Sequence, residues 1–351
     1  MARFPVVVLA AVSAGLCAAS YAQETRVMPL AAYQRAGRFI VGLKPEQVRV
    51  KGVTAQVKSL ELDRSPRRIV LLLDSSRSMG GDGRGDNSWP FAMQLARDFL
   101  ALVQPEDRVA LHTFAEKHLR LVDFTSDPAL IVRGLEMLPP PNTGSAGKSR
   151  GTETNLGLAL TEILAGYGDS IRVGDTILLI SDGEFKEDKE VPLPKVLPAL
   201  LARGVRVLLF RIGPLVRQTR IRVGQHERDT PEDTKREAGY AASKQMSDLA
   251  KDTGGFTIAP WDHAEEMSNG MLLPLKPEVL RLGVQVAYAF ARNSYRLELV
   301  LNEKIARNKK IQVELLSPEG REEKNVNLYF PHILAPTREN GARWIGRSRK
   351  K

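Results

Sequence analysis

The chain has 351 residues, 43% hydrophobic and 26% charged, which suits about two folded domains of roughly 100–200 residues each and excludes wholesale disorder. Its 51 Lys and Arg residues against 41 Asp and Glu leave a formal charge of +10, which favours anionic partners but says nothing about fold. The single cysteine excludes an internal disulfide framework and any multi-cysteine metal centre.

Arg3, the apolar run from Val6 to Cys17 and the small residues of Ser20-Tyr21-Ala22 predict a secretory signal peptide over 1–22, cleaved after Ala22. The run is short for a membrane span, and Leu16 ahead of Cys17 does not suit a lipoprotein. The mature chain is then expected to be exported, to the periplasm or the exterior, without a cysteine.

Residues 23–66 predict a β-rich segment. Phe39-Ile40-Val41, Val48-Arg49-Val50 and Val57 to Leu62 alternate in part, and Asp63-Arg64-Ser65-Pro66 is a break. Ile69-Val70-Leu71-Leu72-Leu73 is short and continuously apolar, as in a central parallel strand covered on both faces. Next come a helix over about 89–103, strands at 109–114 and 119–124, and a helix opening after Ser126-Asp127-Pro128. A helix over 156–164, a strand over 176–180, a helix over 194–202 ended by Gly204 and a strand over 205–212 continue the alternation. A helix over 242–252, closed by Gly254-Gly255, and a strand over 256–259 complete it. This rhythm predicts an α/β fold, a doubly wound and mostly parallel sheet, over 67–274.

Pro139 to Arg150 reads as a loop, and 213–240 as a solvated, charge-rich insertion. Residues 275–336 turn β-rich, with strands at Val284-Gln285-Val286, Tyr295 to Leu301 and Ile311 to Leu316. The two β-rich flanks are expected to pair into one module, with the α/β domain inserted between them. Residues 337–351 carry Arg338, Arg343, Arg347, Arg349, Lys350 and Lys351 against Glu339 and predict a disordered basic tail.

The strand at 69–73 runs into Asp74-Ser75-Ser76-Arg77-Ser78. In an extended loop alternate residues face one side, so the oxygens of Asp74, Ser76 and Ser78 can converge. They do so at the carboxyl end of a buried strand, where open α/β sheets place ligands. Thr152-Glu153-Thr154-Asn155 precedes the helix at 156, and Asp182 follows the strand at 176–180. Carboxylates and hydroxyls are hard ligands, suited to Mg²⁺ or Mn²⁺, with Ca²⁺ as the alternative, and not to zinc or copper. Such a set leaves a coordination position open to an outside Asp or Glu carboxylate.

Asp74, Ser76 and Ser78 in this spacing, a Thr ahead of a helix and Asp182 after a later strand resemble the metal-ion-dependent adhesion site of von Willebrand factor type A domains. The resemblance spans about 67–270 and includes Asp107-Arg108-Val109-Ala110-Leu111 and the run Leu249 to Gly255. The flanks, with Asn293-Ser294-Tyr295, resemble the bacterial secreted proteins of this family abundant in Acidobacteria. The family implies a Rossmann-like fold and Thr154 as the metal threonine, with Thr152 as the fallback. It implies that a partner carboxylate completes the coordination and that the last helix, about Asp262–Leu273, shifts with affinity. Arg77 stands where the family often has Gly.

Other motifs weigh less. Asn142 to Ser149 resembles a phosphate loop, but Asn142 replaces the first Gly and prolines precede it. Arg84-Gly85-Asp86 is read as a chance tripeptide. His112 is expected to be packed in its strand, and His118, His226, His263 and His332 lack a metal spacing. The sequence thus predicts an exported adhesion module, not an enzyme, that captures an acidic residue of a partner protein. The alternatives are a metal-dependent hydrolase using the same ion, or a metal-independent envelope protein that binds anionic polymers through its basic tail. Nucleic acid is not expected, because aromatic residues do not interleave the cations.

Overall fold

The computed structural model describes residues 23–80, 87–141, 154–184, 191–212, 231–263 and 276–336, with the backbone alone for 231–240 and 262–263. The expected signal peptide, the tripeptide 84–86, the loop 142–150, Thr152, residues 213–230 and the tail at 337–351 lie outside the described residues.

In chain order the elements are β1 (Glu24–Gln34), β2 (Val48–Lys51), β3 (Ala55–Leu62), β4 (Arg68–Asp74), α1 (Trp89–Leu100), β5 (Arg108–Phe114), β6 (His118–Thr125) and α2 (Pro128–Glu136). There follow α3 (Leu156–Tyr167), β7 (Thr176–Ser181), α4 (Leu193–Arg203), β8 (Arg206–Arg211), α5 (Pro231–Asp252), β9 (Thr257–Ile258) and α6 (Pro277–Arg292). The chain closes with β10 (Tyr295–Leu301), β11 (Lys309–Lys310), β12 (Gln312–Leu315), β13 (Val326–Tyr329) and β14 (Ile333–Leu334).

Six strands form the central sheet in the order β6-β5-β4-β7-β8-β9. All neighbours are parallel except β5 and β6. The apolar run of β4 is explained by its two buried faces. Ile69, Leu71 and Leu73 join one core with residues of α1, α2 and α6, while Val70 and Leu72 join a second with α3, α4 and α5. A strand packed on both sides has no solvent face to alternate toward.

The flanks combine into one antiparallel sheet, ordered β13-β1-β10-β3. β1 pairs with β10 from Glu24↔Leu301 to Leu30↔Tyr295, and β2 pairs with β12 in a separate ribbon. Met28, Leu30, Leu297 and Leu299 fill this module's own core. Tyr33 leaves β1 to stack on Phe290 of α6, ring centroids 5.9 Å apart at 14°, and Tyr329 meets Phe290 edge-on at 4.9 Å. These aromatic contacts fasten the β module to the end of α6.

The same end of α6 is held from below by Arg206, which is 1% exposed at the start of β8. Its guanidinium donates to the carbonyl oxygens of Ala291 (3.0 Å) and Phe290 (3.2 Å), to that of Gly174 and to the Thr176 hydroxyl. A cation thus satisfies final-turn carbonyls that the helix itself leaves unpaired. Asp107, also buried, accepts from the Tyr288 hydroxyl at 2.9 Å and from the Arg67 amide at 2.8 Å.

Three expectations are corrected, and β1 is a strand that the sequence did not signal. Val284-Gln285-Val286 is not a strand but part of α6, whose Leu280, Val284, Ala287 and Ala291 are buried at helical spacing. The exposed Val286 imitated a strand's alternation. Residues 231–240 are not loop but the first half of α5. Phe39-Ile40-Val41 makes only an isolated bridge, Tyr33↔Phe39. The long β1 carries no alternating pattern, because Met28 to Tyr33 are buried on both faces. Residues 264–275, where most of the expected last helix falls, lie outside the described residues, and Pro260–His263 is a short 3-10 turn. Among the described residues no helix is long and apolar enough to cross a membrane.

Gly157, in the first turn of α3, is a packing requirement. A Cβ built there would lie 1.8 Å from the Val191 carbonyl oxygen, on the segment that leads into α4. Gly157→Ala is therefore expected to destabilise the protein by about 1–3 kcal/mol, as other small-to-large changes in tight contacts do. Urea unfolding checks this; an unchanged midpoint would show that the two backbones do not meet.

Candidate metal centre

Strand β4 ends at Asp74 between its parallel neighbours β5 and β7. Asp74 is completely buried, yet its carboxylate has two donors: the Ser76 amide at 2.9 Å and the Ser181 hydroxyl at 2.7 Å. The chain then tightens into a 3-10 turn over Arg77–Gly80. That turn sets the hydroxyl oxygens of Ser76 and Ser78 3.0 Å apart. Ser78 in turn donates to the carboxylate of Asp182. The sequence-predicted Asp74, Ser76, Ser78 and Asp182 are thus joined in one chain of contacts.

Thr154 enters from the side. The end of β5 holds both neighbouring loops: the Phe114 carbonyl accepts from the Ser75 amide at 2.8 Å, and the Ala115 carbonyl accepts from the Asn155 amide at 2.8 Å. Consecutive carbonyls of one strand exit therefore seat the Asp74 loop and the start of α3 side by side. Thr154, buried immediately ahead of α3, lies in that seat. Arg77 is exposed, so its cation does not occupy the interior of the turn.

The electrostatics are those of two acids placed too close together. Burial pushes the Asp74 carboxyl up, and the nearby charge of Glu184 adds to this against the hydrogen bonds that oppose it. Asp182 is pushed up by burial and next by the charge of Asp74, with the Glu184 amide and the Ser78 hydroxyl working the other way. The ionised forms of both are thus disfavoured until positive charge is supplied. The donor set fits a hard divalent cation: two carboxylates roughly balance its charge, and hydroxyls complete an oxygen shell. Among the described residues, no three or more His, Cys, Asp or Glu side chains are arranged to hold a metal ion, so the hydroxyls are essential to this set.

The sequence reading missed Ser181. Its hydroxyl donates to Asp74 and accepts from the Gly183 amide at 3.0 Å, so it carries the β7 exit against the β4 exit. The only signal was its place next to Asp182. Gly183 follows with φ +85°, a left-handed turn that a side chain would strain, and a Cβ there would meet the Ser243 hydroxyl at 3.0 Å.

Residues 69–184 match the family model of the von Willebrand factor type A domain. Solved structures similar to this chain include BatB, a conserved hypothetical protein of Bacteroides thetaiotaomicron, at 16% identity over 64% of this chain and 99% of that one, with a TM-score of 0.39. A von Willebrand factor type A protein from Catenulispora acidiphila is 11% identical over 86% of this chain and 78% of that one, TM-score 0.42. Manganese-loaded TRAP protein of Plasmodium vivax is 12% identical over 81% of this chain and 96% of that one, TM-score 0.39. No curated protein matches this chain.

Proposed function

From the von Willebrand factor type A domain that this chain carries over residues 69–184, we propose an exported, non-enzymatic protein-interaction module that holds Mg²⁺ or Mn²⁺ and captures an acidic residue of a partner protein. The observation that carries this reading is the contact chain from Asp74 through Ser76 and Ser78 to Asp182 at the carboxyl ends of β4 and β7. Asp74 and Asp182 provide the negative charge, Ser76, Ser78 and Thr154 the neutral oxygens. The Ser181 hydroxyl and the Ser76 amide fix the direction of the Asp74 carboxylate, and Ser78 that of Asp182. When bound, the cation supplies positive charge and an open position toward a partner's Asp or Glu carboxylate. Few carboxylates and several hydroxyls suit Mg²⁺, which keeps part of its water shell. Export rests on the signal peptide predicted at 1–22.

Calorimetric titration of the mature protein with Mg²⁺ and with Mn²⁺ is the direct test. One saturable site, lost in a Ser76→Ala, Ser78→Ala double variant, is expected. Chelator-sensitive turnover of phosphoester or peptide substrates would instead make the protein a metal-dependent hydrolase.

A further inference from the structure

The central sheet ends at β6, which pairs with β5 on one side and, among the described residues, with no strand on the other. Such an edge offers backbone N–H and C=O groups to a further strand. Beside it gather four of the eight large apolar side chains exposed among the described residues: Leu119 and Leu121 on β6, Leu130 and Met137 on α2. The lengths of the two elements explain this. β6 has eight residues and spans about 26 Å, whereas α2 has nine and spans about 14 Å. A Cβ on Gly134, late in α2, would lie 2.9 Å from Val122, so the helix covers the strand only from its far end to about its middle. Leu130 and Met137 stand four residues before and three after Gly134, on the helical stripe that faces β6. Leu119, opposite Thr113 and 53% exposed, lies beyond the helix.

The charges of the strand say what the edge fits. Arg120 and Asp123 are the only Lys, Arg, Asp or Glu residues of β6, the third from its start and the third from its end. A two-fold axis through the middle of the strand therefore exchanges their places. The pairing with β5 slips on both sides of the Leu111↔Val122 pair, which brings both side chains to one face, exposed and 3.6 Å apart. An antiparallel strand of the same sequence sets opposite charges across the axis twice, whereas a parallel one sets like charges together. The edge is also held in shape before any partner arrives. The His118 ring stacks on His112 at 5.0 Å and lies 2.9 Å from the Glu162 carboxylate of α3. His112 Nε2 lies 2.8 Å from the Tyr167 hydroxyl, and Tyr167 also bonds Asp123. An edge fixed in this way loses little freedom on association.

We propose that β6 is a self-association edge, on which two copies of this chain meet antiparallel, with Arg120 of each against Asp123 of the other. The exposed Leu119 and Leu121 of both copies lie along the same seam and leave water as it closes. The contact is isologous, the same patch on both copies, so assembly stops at a dimer. It does not depend on cation binding.

Sedimentation equilibrium of the mature protein in the presence of chelator tests this. The wild type should pass from monomer to dimer as its concentration is raised. Arg120→Glu and Asp123→Lys, both at exposed positions, should each weaken dimerisation by at least about tenfold, because each sets like charges across the axis twice. An equimolar mixture of these two variants should dimerise again, since the acidic edge of one then meets the basic edge of the other. The Arg120–Asp123 contact within one chain predicts no such rescue. Leu119→Lys, also at an exposed position, should weaken dimerisation and serves if a charge variant does not fold. A wild type that stays monomeric overturns the proposal and leaves the edge to an extended segment of another protein. A dimer that survives all three substitutions overturns it as well, as does a mixture of the charge variants that stays monomeric.

Discussion

Asp74→Asn is expected to abolish Mg²⁺ and Mn²⁺ binding while leaving the metal-free protein at least as stable as the wild type. The two halves of this result have separate causes. The amide keeps its oxygen for the Ser76 amide and turns its NH2 to the Ser181 hydroxyl oxygen, so the bond to Ser181 reverses and only the Ser181 hydroxyl proton gives up its acceptor. It removes a buried charge that pushes Asp182 up, so the repulsion between the two acids disappears. What it cannot supply is the negative charge a divalent cation requires. Asp74→Ala differs: it strands two buried donors and should cost about 1–3 kcal/mol beyond the loss of binding. In thermal melts, saturating the wild type at about 100 times its Kd adds about 2.7 kcal/mol. At about 2–4 °C per kcal/mol for a domain of this size, that is a rise of roughly 5–10 °C. Asp74→Asn should show none of this rise. A metal-induced rise that survives the substitution would remove Asp74 from the site, and an Asp74→Asn protein several degrees less stable without metal would refute the like-charge argument.

Arg206→Met is expected to destabilise the fold by about 3–5 kcal/mol, the largest effect foreseen outside the site. The side chain is similar in bulk and apolar, so cavity formation is not the main cause. The loss is in the carbonyls of Phe290 and Ala291, which have the guanidinium as a partner in a buried place, whereas the Gly174 carbonyl keeps the Thr176 hydroxyl. Each stranded acceptor costs about 1–3 kcal/mol, partly recovered by relaxation. Arg206→Lys should fall between, because one ammonium keeps the charge without the planar fork that spans several carbonyls. Denaturant unfolding of the three proteins measures this, and a loss below about 1 kcal/mol for Arg206→Met would mean that these carbonyls find other partners. Because the same guanidinium lies over the Phe290 ring at 5.1 Å, the variant should also loosen the aromatic contact with Tyr33.

The candidate site was legible because its main signal is local. Asp74, Ser76 and Ser78 are two residues apart at the end of an apolar strand, a spacing that suggested three oxygens on one side of an extended loop, although it is the 3-10 turn over Arg77–Gly80 that sets Ser76 and Ser78 side by side. Asp182 was found for the same reason, one residue beyond another apolar strand. Ser181 was not, since its role depends on how far β4 and β7 run before they diverge. The α6 error has a similar origin. A short window around Val284 and Val286 suits a strand, and only the burial of Leu280, Val284, Ala287 and Ala291 against the sheet identifies the helical face.

The sequence by itself determined the alternation of strands and helices through the central domain, the carboxyl-end position of the oxygen-bearing residues and the hard character of the ion they would take. Each follows from interactions within a few residues of chain: side-chain alternation, continuous burial of short strands and the chemistry of the side chains. The tertiary structure alone decided that β1 pairs with β10, that Asn155 and Ser75 share one strand exit, that Arg206 closes α6, and that His112 meets His118, Tyr167 and Glu162. These contacts join segments that the chain brings together from a distance, except for the two histidines, which a single turn unites. Partner choice across such distances is set by which closure buries the most apolar surface and leaves the fewest buried polar groups unpaired, a property of the whole chain that no local stretch encodes.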